Sequence, residues 1–129
     1  MKIIDTVVII GSLDTTSRLH AQCMVHLDRV FSGRETYVPM TAILEADLVM
    51  KARGYSYEER RVSWNALGYK IPSEKVIANS PSSMRVAIDL QEKGMDYFDS
   101  LIASLAMELG AKVLTTDQVI KAVVETEWQ

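Results

Sequence analysis

Apolar residues fall in short blocks along this chain, and the spacing within the blocks changes from one to the next. Ile3 and Ile4 make Lys2 to Asp5 a short buried strand. The run Thr6 to Gly11 is apolar throughout and fits either a continued strand or a short helix. Gly11 to Ser17 is rich in turn formers. From Arg18 to Phe31 the spacing is helical, with Leu19, Cys23, Met24, Leu27, Val30 and Phe31 on one face and Gly33 as the stop. Tyr37-Val38 reads as a second strand, and Pro39 suits a helix start. A helix follows from Met40 to Arg53, ending at Gly54. Ser56 and Glu59 have capping-box spacing and open a helix to Leu67, closed by Gly68. Ile71 and Val76-Ile77 bound a short irregular or strand segment. Ser80-Pro81 starts a helix toward Lys93, stopped by Gly94. Asp96 to Leu109 forms another, stopped by Gly110. Lys112 to Thr115 reads as a core strand. A short helix or strand follows Asp117, and Val123 to Trp128 alternates weakly, as an edge strand does.

Short strands alternating with helices predict an α/β fold, a small parallel sheet covered by helices. With no repeat, linker or low-complexity stretch, residues 1–129 read as one domain. Ligands of such sheets bind beyond the carboxyl ends of the strands. Asp5 and Asp117 both fall at strand ends and so on one rim.

Composition narrows the class. At 48% hydrophobic and 24% charged, the chain is of ordinary globular type. A net charge of −3 argues against general attraction to nucleic acid and leaves only local patches for it. Cys23 is the single cysteine, which excludes an internal disulfide and fits a reducing cytoplasm. No apolar run is long enough to span a bilayer, so no membrane association is expected.

Four acids interrupt or border apolar segments: Asp5 after Ile3-Ile4, Glu45 after Ile43-Leu44, Asp99 before Ser100-Leu101-Ile102-Ala103, and Asp117 after Val113-Leu114-Thr115-Thr116. Taken singly, most have ordinary readings. Asp117 caps a helix, Asp96 is an N-cap with Asp99 in the first turn, and Glu45 sits at the edge of an apolar stripe. Asp5 is harder to explain in this way, because its neighbours are strongly apolar. Taken together, carboxylates from strand ends and helix starts make an oxygen-rich site for a hard divalent cation, Mg²⁺ or Mn²⁺. Crowded like charges need such a cation or shared protons. The chemistry this predicts is metal-assisted phosphodiester hydrolysis. Other chemistries lack their residues. His20 and His26 do not share a helix face well and read as surface or half-buried. Cys23 reads as core, as do most of the methionines. There is no phosphate-binding glycine loop and no zinc pattern.

Four segments, Ile3-Ile4-Asp5-Thr6, Val38-Pro39-Met40-Thr41-Ala42-Ile43-Leu44-Glu45, Tyr97-Phe98-Asp99-Ser100-Leu101-Ile102-Ala103 and Val113-Leu114-Thr115-Thr116-Asp117, resemble in order and spacing the motifs of PIN-domain nucleases. The resemblance extends to the single-domain toxin ribonucleases of virulence-associated toxin–antitoxin pairs. It implies a three-layer sandwich and cleavage of single-stranded RNA dependent on Mg²⁺ or Mn²⁺. Asp5, Glu45, Asp99 and Asp117 take the family's acidic positions, and Thr115 or Thr116 takes its Thr/Ser position. Thr6 and Asp96 are supporting residues. A homodimer and an inhibitory antitoxin protein are also implied. One position departs: Val7 stands where the family often has Asn or Ser, which removes a hydrogen bond near Asp5.

Residues 51–75 hold six cations against three acids. Among the cations, Lys51, Arg53, Arg60 and Arg61 are candidates to contact an RNA backbone; a solvated helix pair is the equally weighted alternative. Tyr55, Tyr57, Trp64 and Tyr69 serve either base stacking or, by preference, an interface with a second copy or an antitoxin. Two rival functions keep the fold: a non-catalytic RNA- or partner-binding protein, and an RNA-processing nuclease.

Overall fold

Five parallel strands form the centre of the computed structural model, which describes residues 1–129. They are β1 (Lys2–Ile4), β2 (Thr36–Pro39), β3 (Val76–Ile77), β4 (Lys112–Leu114) and β5 (Thr126–Glu127), in the spatial order β3-β2-β1-β4-β5. Lys2 pairs with Thr36 on one side and Lys112 on the other, and Ile4 pairs with Leu114. Ile3, Ile4, Val113 and Leu114 are wholly buried, as the central strands of a sheet covered on both faces must be. The edge strands β3 and β5 are two residues each, too short to template pairing with another chain.

Seven helices flank the sheet: α1 (Thr6–Leu13), α2 (His20–Phe31), α3 (Met40–Ala52), α4 (Tyr57–Gly68), α5 (Pro81–Glu92), α6 (Tyr97–Leu109) and α7 (Gln118–Lys121). The principal helix contacts are α1 with α2 and α3, α5 with α6, and α3 with α6. The capping box is present: Ser56 Oγ accepts from the Glu59 amide at 3.1 Å, and Glu59 Oε1 accepts from the Ser56 amide at 2.9 Å. No helix is long and apolar enough to cross a membrane.

The structure corrects several expectations. The open choice at Thr6 falls to a helix that runs on through Gly11 to Leu13, where a turn was expected. Its β-branched residues are poor helix formers, but Val8 and Ile9 are fully buried and Asp5 caps the start, so tertiary burial overrides propensity. Gly11 is a packing residue: a Cβ there would lie 2.3 Å from Cys23 Sγ, so its missing side chain is what lets α1 and α2 approach. Pro39 is the N-cap of α3 as well as the last residue of β2. Phe31 lies exposed beyond the α2 stripe, and among the methionines only Met50 belongs to the core.

His26, expected at or near the surface, is fully buried. Its Nε2 donates to the Trp128 carbonyl at 2.5 Å, and its ring lies 4.8 Å from the Trp128 ring. Arg29 Nη1 donates to its Nδ1 at 3.2 Å. Gln22 also donates to the Trp128 carbonyl, at 2.9 Å, and Lys2 and Arg29 both pair with Glu127. The end of the chain is therefore held to α2 and β1 by a polar cluster around a neutral imidazole.

Candidate metal centre

Asp5 leaves the carboxyl end of β1 and immediately caps α1. Its Oδ1 accepts from the Thr6 amide at 2.7 Å, and its Oδ2 accepts from the Thr115 hydroxyl at 2.6 Å. The second bond joins the ends of β1 and β4. Both oxygens are thus oriented within the protein, although Val7 offers no hydrogen bond. Thr115 in turn accepts from the Asp117 amide at 2.9 Å, and Asp117 caps α7 by accepting from Val119 N at 2.7 Å. Thr115 is therefore the threonine that touches the acids. Thr116 is exposed, and only its carbonyl is engaged, by Gln118.

Glu45 reaches in from α3, where its Oε1 accepts a short hydrogen bond from the Thr6 hydroxyl. Asp99 stands in the first turn of α6, half-buried. Asp96 occupies the α6 N-cap position with the right backbone, but its side chain makes no capping bond and is exposed. Asp96 therefore adds a negative charge without closing the helix end.

These acids lie close enough to act on one another. Burial pushes Asp5 up to about 6, against the hydrogen bonds from Thr115 and Thr6, and the charges of Glu45 and Asp117 push the same way. Asp99 also rises to about 6, through partial burial and then the charges of Asp117, Asp5 and Asp96. Glu45 is raised by burial and by Asp99, Asp117 and Asp96. All the predicted acids therefore share one electrostatic neighbourhood. Asp99 is shifted by burial and like charge, with no hydrogen bond or basic side chain among the causes to offset them. The ion pairs of the chain all lie elsewhere.

The donor set fits a hard cation: carboxylate oxygens only, unneutralised, with Thr hydroxyls fixing their orientation. No three His, Cys, Asp or Glu side chains stand gathered at ligating spacing. Thr6 holds Glu45 and Thr115 holds Asp5 by hydrogen bonds. Cys23, whose thiol burial pushes up to about 11, is no nucleophile.

The basic candidates separate into two pairs. Arg60 forks onto Asp47 through Nε at 3.0 Å and Nη2 at 2.6 Å, and Trp64 Nε1 donates to the same carboxylate at 2.9 Å. Arg61 pairs with Glu58. These two stitch α3 to α4 and the first turn of α4 to itself, while Lys51 and Arg53 are exposed. Asp47 gave no sign in the sequence, because the distance that makes it a clamp belongs to the α3–α4 packing. Beside it, Leu44, Tyr57, Arg61 and Trp64 line an open groove of about 650 Å³.

Strand order, helix placement and an acid cluster beyond the strand ends together define a PIN-like fold. No protein-family model matches the chain, and no curated protein matches it. Among solved structures, it is similar to FitAcB from Neisseria gonorrhoeae at a TM-score of 0.75 and 16% identity, covering 98% of this chain and 96% of that one. VapBC2 from Rickettsia felis, bound to a DNA fragment from their promoter, superposes at 0.71 and 14% identity, covering 99% and 98%. PAE2754 from Pyrobaculum aerophilum does so at 0.64 and 18% identity, covering 95% and 84%. These neighbours are PIN-domain proteins, and the likeness carries the fold.

Proposed function

We propose that this chain is a divalent-metal-dependent endoribonuclease that cleaves single-stranded RNA and acts as the toxin of a toxin–antitoxin pair. The observation that carries the reading is Asp99: a half-buried carboxylate in the field of Asp117, Asp5 and Asp96 that makes no ion pair with any Lys or Arg of the chain. The structural neighbours, PIN-domain toxins of toxin–antitoxin systems, support a nuclease toxin in general.

Asp5, Glu45, Asp99 and Asp117 would hold the Mg²⁺ or Mn²⁺. Bound there, the cation would supply Lewis-acid stabilisation of charge on the phosphate and acidify an attacking water. The remaining work falls to the protein. Thr115 and the Thr6 amide orient Asp5, Thr6 orients Glu45, and Thr115 fixes the turn that presents Asp117. Asp96 adds negative potential at the rim. Lys51 and Arg53 are the exposed cations left to meet the RNA backbone.

The α3–α4 groove and the exposed Leu48, Val62 and Tyr69 near it suit a protein partner, an antitoxin or a second copy forming a homodimer. A cytoplasmic setting accords with the buried free thiol of Cys23.

The test is cleavage of a single-stranded RNA panel with Mg²⁺, Mn²⁺ or EDTA, beside Asp99→Asn. Cleavage that requires both the metal and Asp99 is expected. A folded, antitoxin-free protein that cleaves no better than Asp99→Asn would overturn the catalytic reading in favour of a binding role.

A further inference from the structure

Asn79 lies in the link between β3 and α5, outside every motif that marked the acids. Its side chain joins three helices. Nδ2 donates to the Leu101 carbonyl of α6 at 3.0 Å, to Ser83 Oγ of α5 at 3.0 Å and to Ser104 Oγ of α6 at 3.3 Å. Oδ1 accepts from the Thr41 hydroxyl of α3 at 3.3 Å. Thr41, Ser83 and Ser104 are all buried. Asn79 itself is half-buried, and with both ends of its amide engaged it holds these buried groups in one arrangement.

The arrangement it fixes is that of two acids. Thr41 lies one turn before Glu45 on the same side of α3. Leu101 lies two residues after Asp99 in α6. The charge of Asp99 acts on Glu45 between the packed helices α3 and α6. Asn79 ties those two helices together at Thr41, one turn before Glu45, and at Leu101, two residues after Asp99. Thr6 and Thr115 orient individual carboxylates. Asn79 acts at the level of the helices that carry them.

We propose that Asn79 is a positioning residue that sets the spacing of Glu45 and Asp99 for the cation. The inference rests on the metal-centre reading above. It gives the three arms of the amide different consequences. The arm to Thr41 and the arms to α6 bear on the acids. The arm to Ser83 reaches α5, which carries none of them.

The experiment measures Mn²⁺ binding by electron paramagnetic resonance without RNA, together with urea unfolding, for the parent, Asn79→Ala, Thr41→Val and Ser83→Ala. Asn79→Ala and Thr41→Val are expected to weaken Mn²⁺ binding about tenfold and to alter the bound-ion line shape, the scale seen when an outer partner of a ligand is lost. Ser83→Ala is expected to lower stability and leave Mn²⁺ affinity unchanged. Thr41→Val keeps the test open if Asn79→Ala does not fold. Parent-like Mn²⁺ binding in folded Asn79→Ala or Thr41→Val would make the amide a core tie and overturn the proposal. A parent that binds no Mn²⁺ would instead overturn the metal-centre reading, and this inference with it.

Discussion

Thr115 donates to Oδ2 of Asp5 at 2.6 Å across 110 positions of sequence, with both residues buried. The same hydroxyl accepts the amide of Asp117, so one oxygen links two of the four acids. Thr115→Val is expected to strand a buried carboxylate oxygen and an amide, costing about 1–3 kcal/mol for the unpaired groups. On the proposed metal-dependent reading, RNA cleavage should fall by about 10–100-fold, the usual effect of losing a partner that orients a ligand. Thr115→Ser should retain most of both. Urea unfolding and kcat/KM check the pair; a Thr115→Val enzyme with parent-like kcat/KM would detach the threonine from catalysis.

The raised acids predict an unusual pH profile. Asp5 and Asp99 titrate near 6 in the folded chain, against 3.8 ordinarily. Between those values the folded state binds more protons than the unfolded one, so metal-free stability falls as pH rises from about 4 to about 6 and stays low above it. For Asp5 the penalty at neutral pH is on the order of 2–3 kcal/mol. Asp5→Asn should flatten the profile in this window, and Asp99→Asn should raise the neutral-pH unfolding midpoint in EDTA. Added Mn²⁺ should reverse the order, stabilising the parent above both variants.

His26 contributes with the opposite sign. Burial lowers its tendency to protonate, ahead of the opposing Trp128 carbonyl, and the Arg29 guanidinium facing Nδ1 disfavours the cation further. Lys2 also opposes protonation and Glu127 favours it. A base depressed in the folded state gives stability that is present above its unfolded value of about 6.5 and is lost as pH falls below it. His26→Gln keeps a donor for the Trp128 carbonyl without the titration. Its unfolding midpoint should lose less than the parent's on acidification. Equal acid sensitivity in the two proteins would refute the assignment.

Gly11 and Cys23 form a third testable pair. Gly11→Ala places a methyl 2.3 Å from Cys23 Sγ and should cost about 1–3 kcal/mol by overpacking. Adding Cys23→Ala removes the sulfur, leaving a nearest contact of 3.3 Å to Cβ. The double variant should recover much of the loss, so a double-mutant cycle in urea should give a non-zero coupling. Additive losses would mean that the helices part without using this contact.

The acids stood out in the sequence because they lie where apolar segments begin and end. Asp5 and Asp117 stand out at the ends of Ile3-Ile4 and Val113-Leu114, and the structure brings Glu45 and Asp99 into the same field. Stops and caps that act locally were legible too, such as Gly110, which adopts a left-handed φ of 63°, and the Ser56–Glu59 box. What the sequence hid depends on packing between distant segments. The Val7-Val8-Ile9-Ile10 run carries a strand-like propensity that burial overrides. Asp47 becomes a clamp only when α4 lies beside α3. Asn79 has meaning only once three helices converge on it, and Asp96 sits at a cap position without capping.

The pairing of the first strand with the fourth also bears on synthesis. Asp5 is made 110 residues before its partner Thr115, and the last acid, Asp117, follows two residues later still. A nascent chain leaves the ribosome with its carboxylates dispersed and without the strand that brings them together. A product interrupted before β4 therefore lacks both that strand and the last acid, and its remaining carboxylates are never drawn onto one rim.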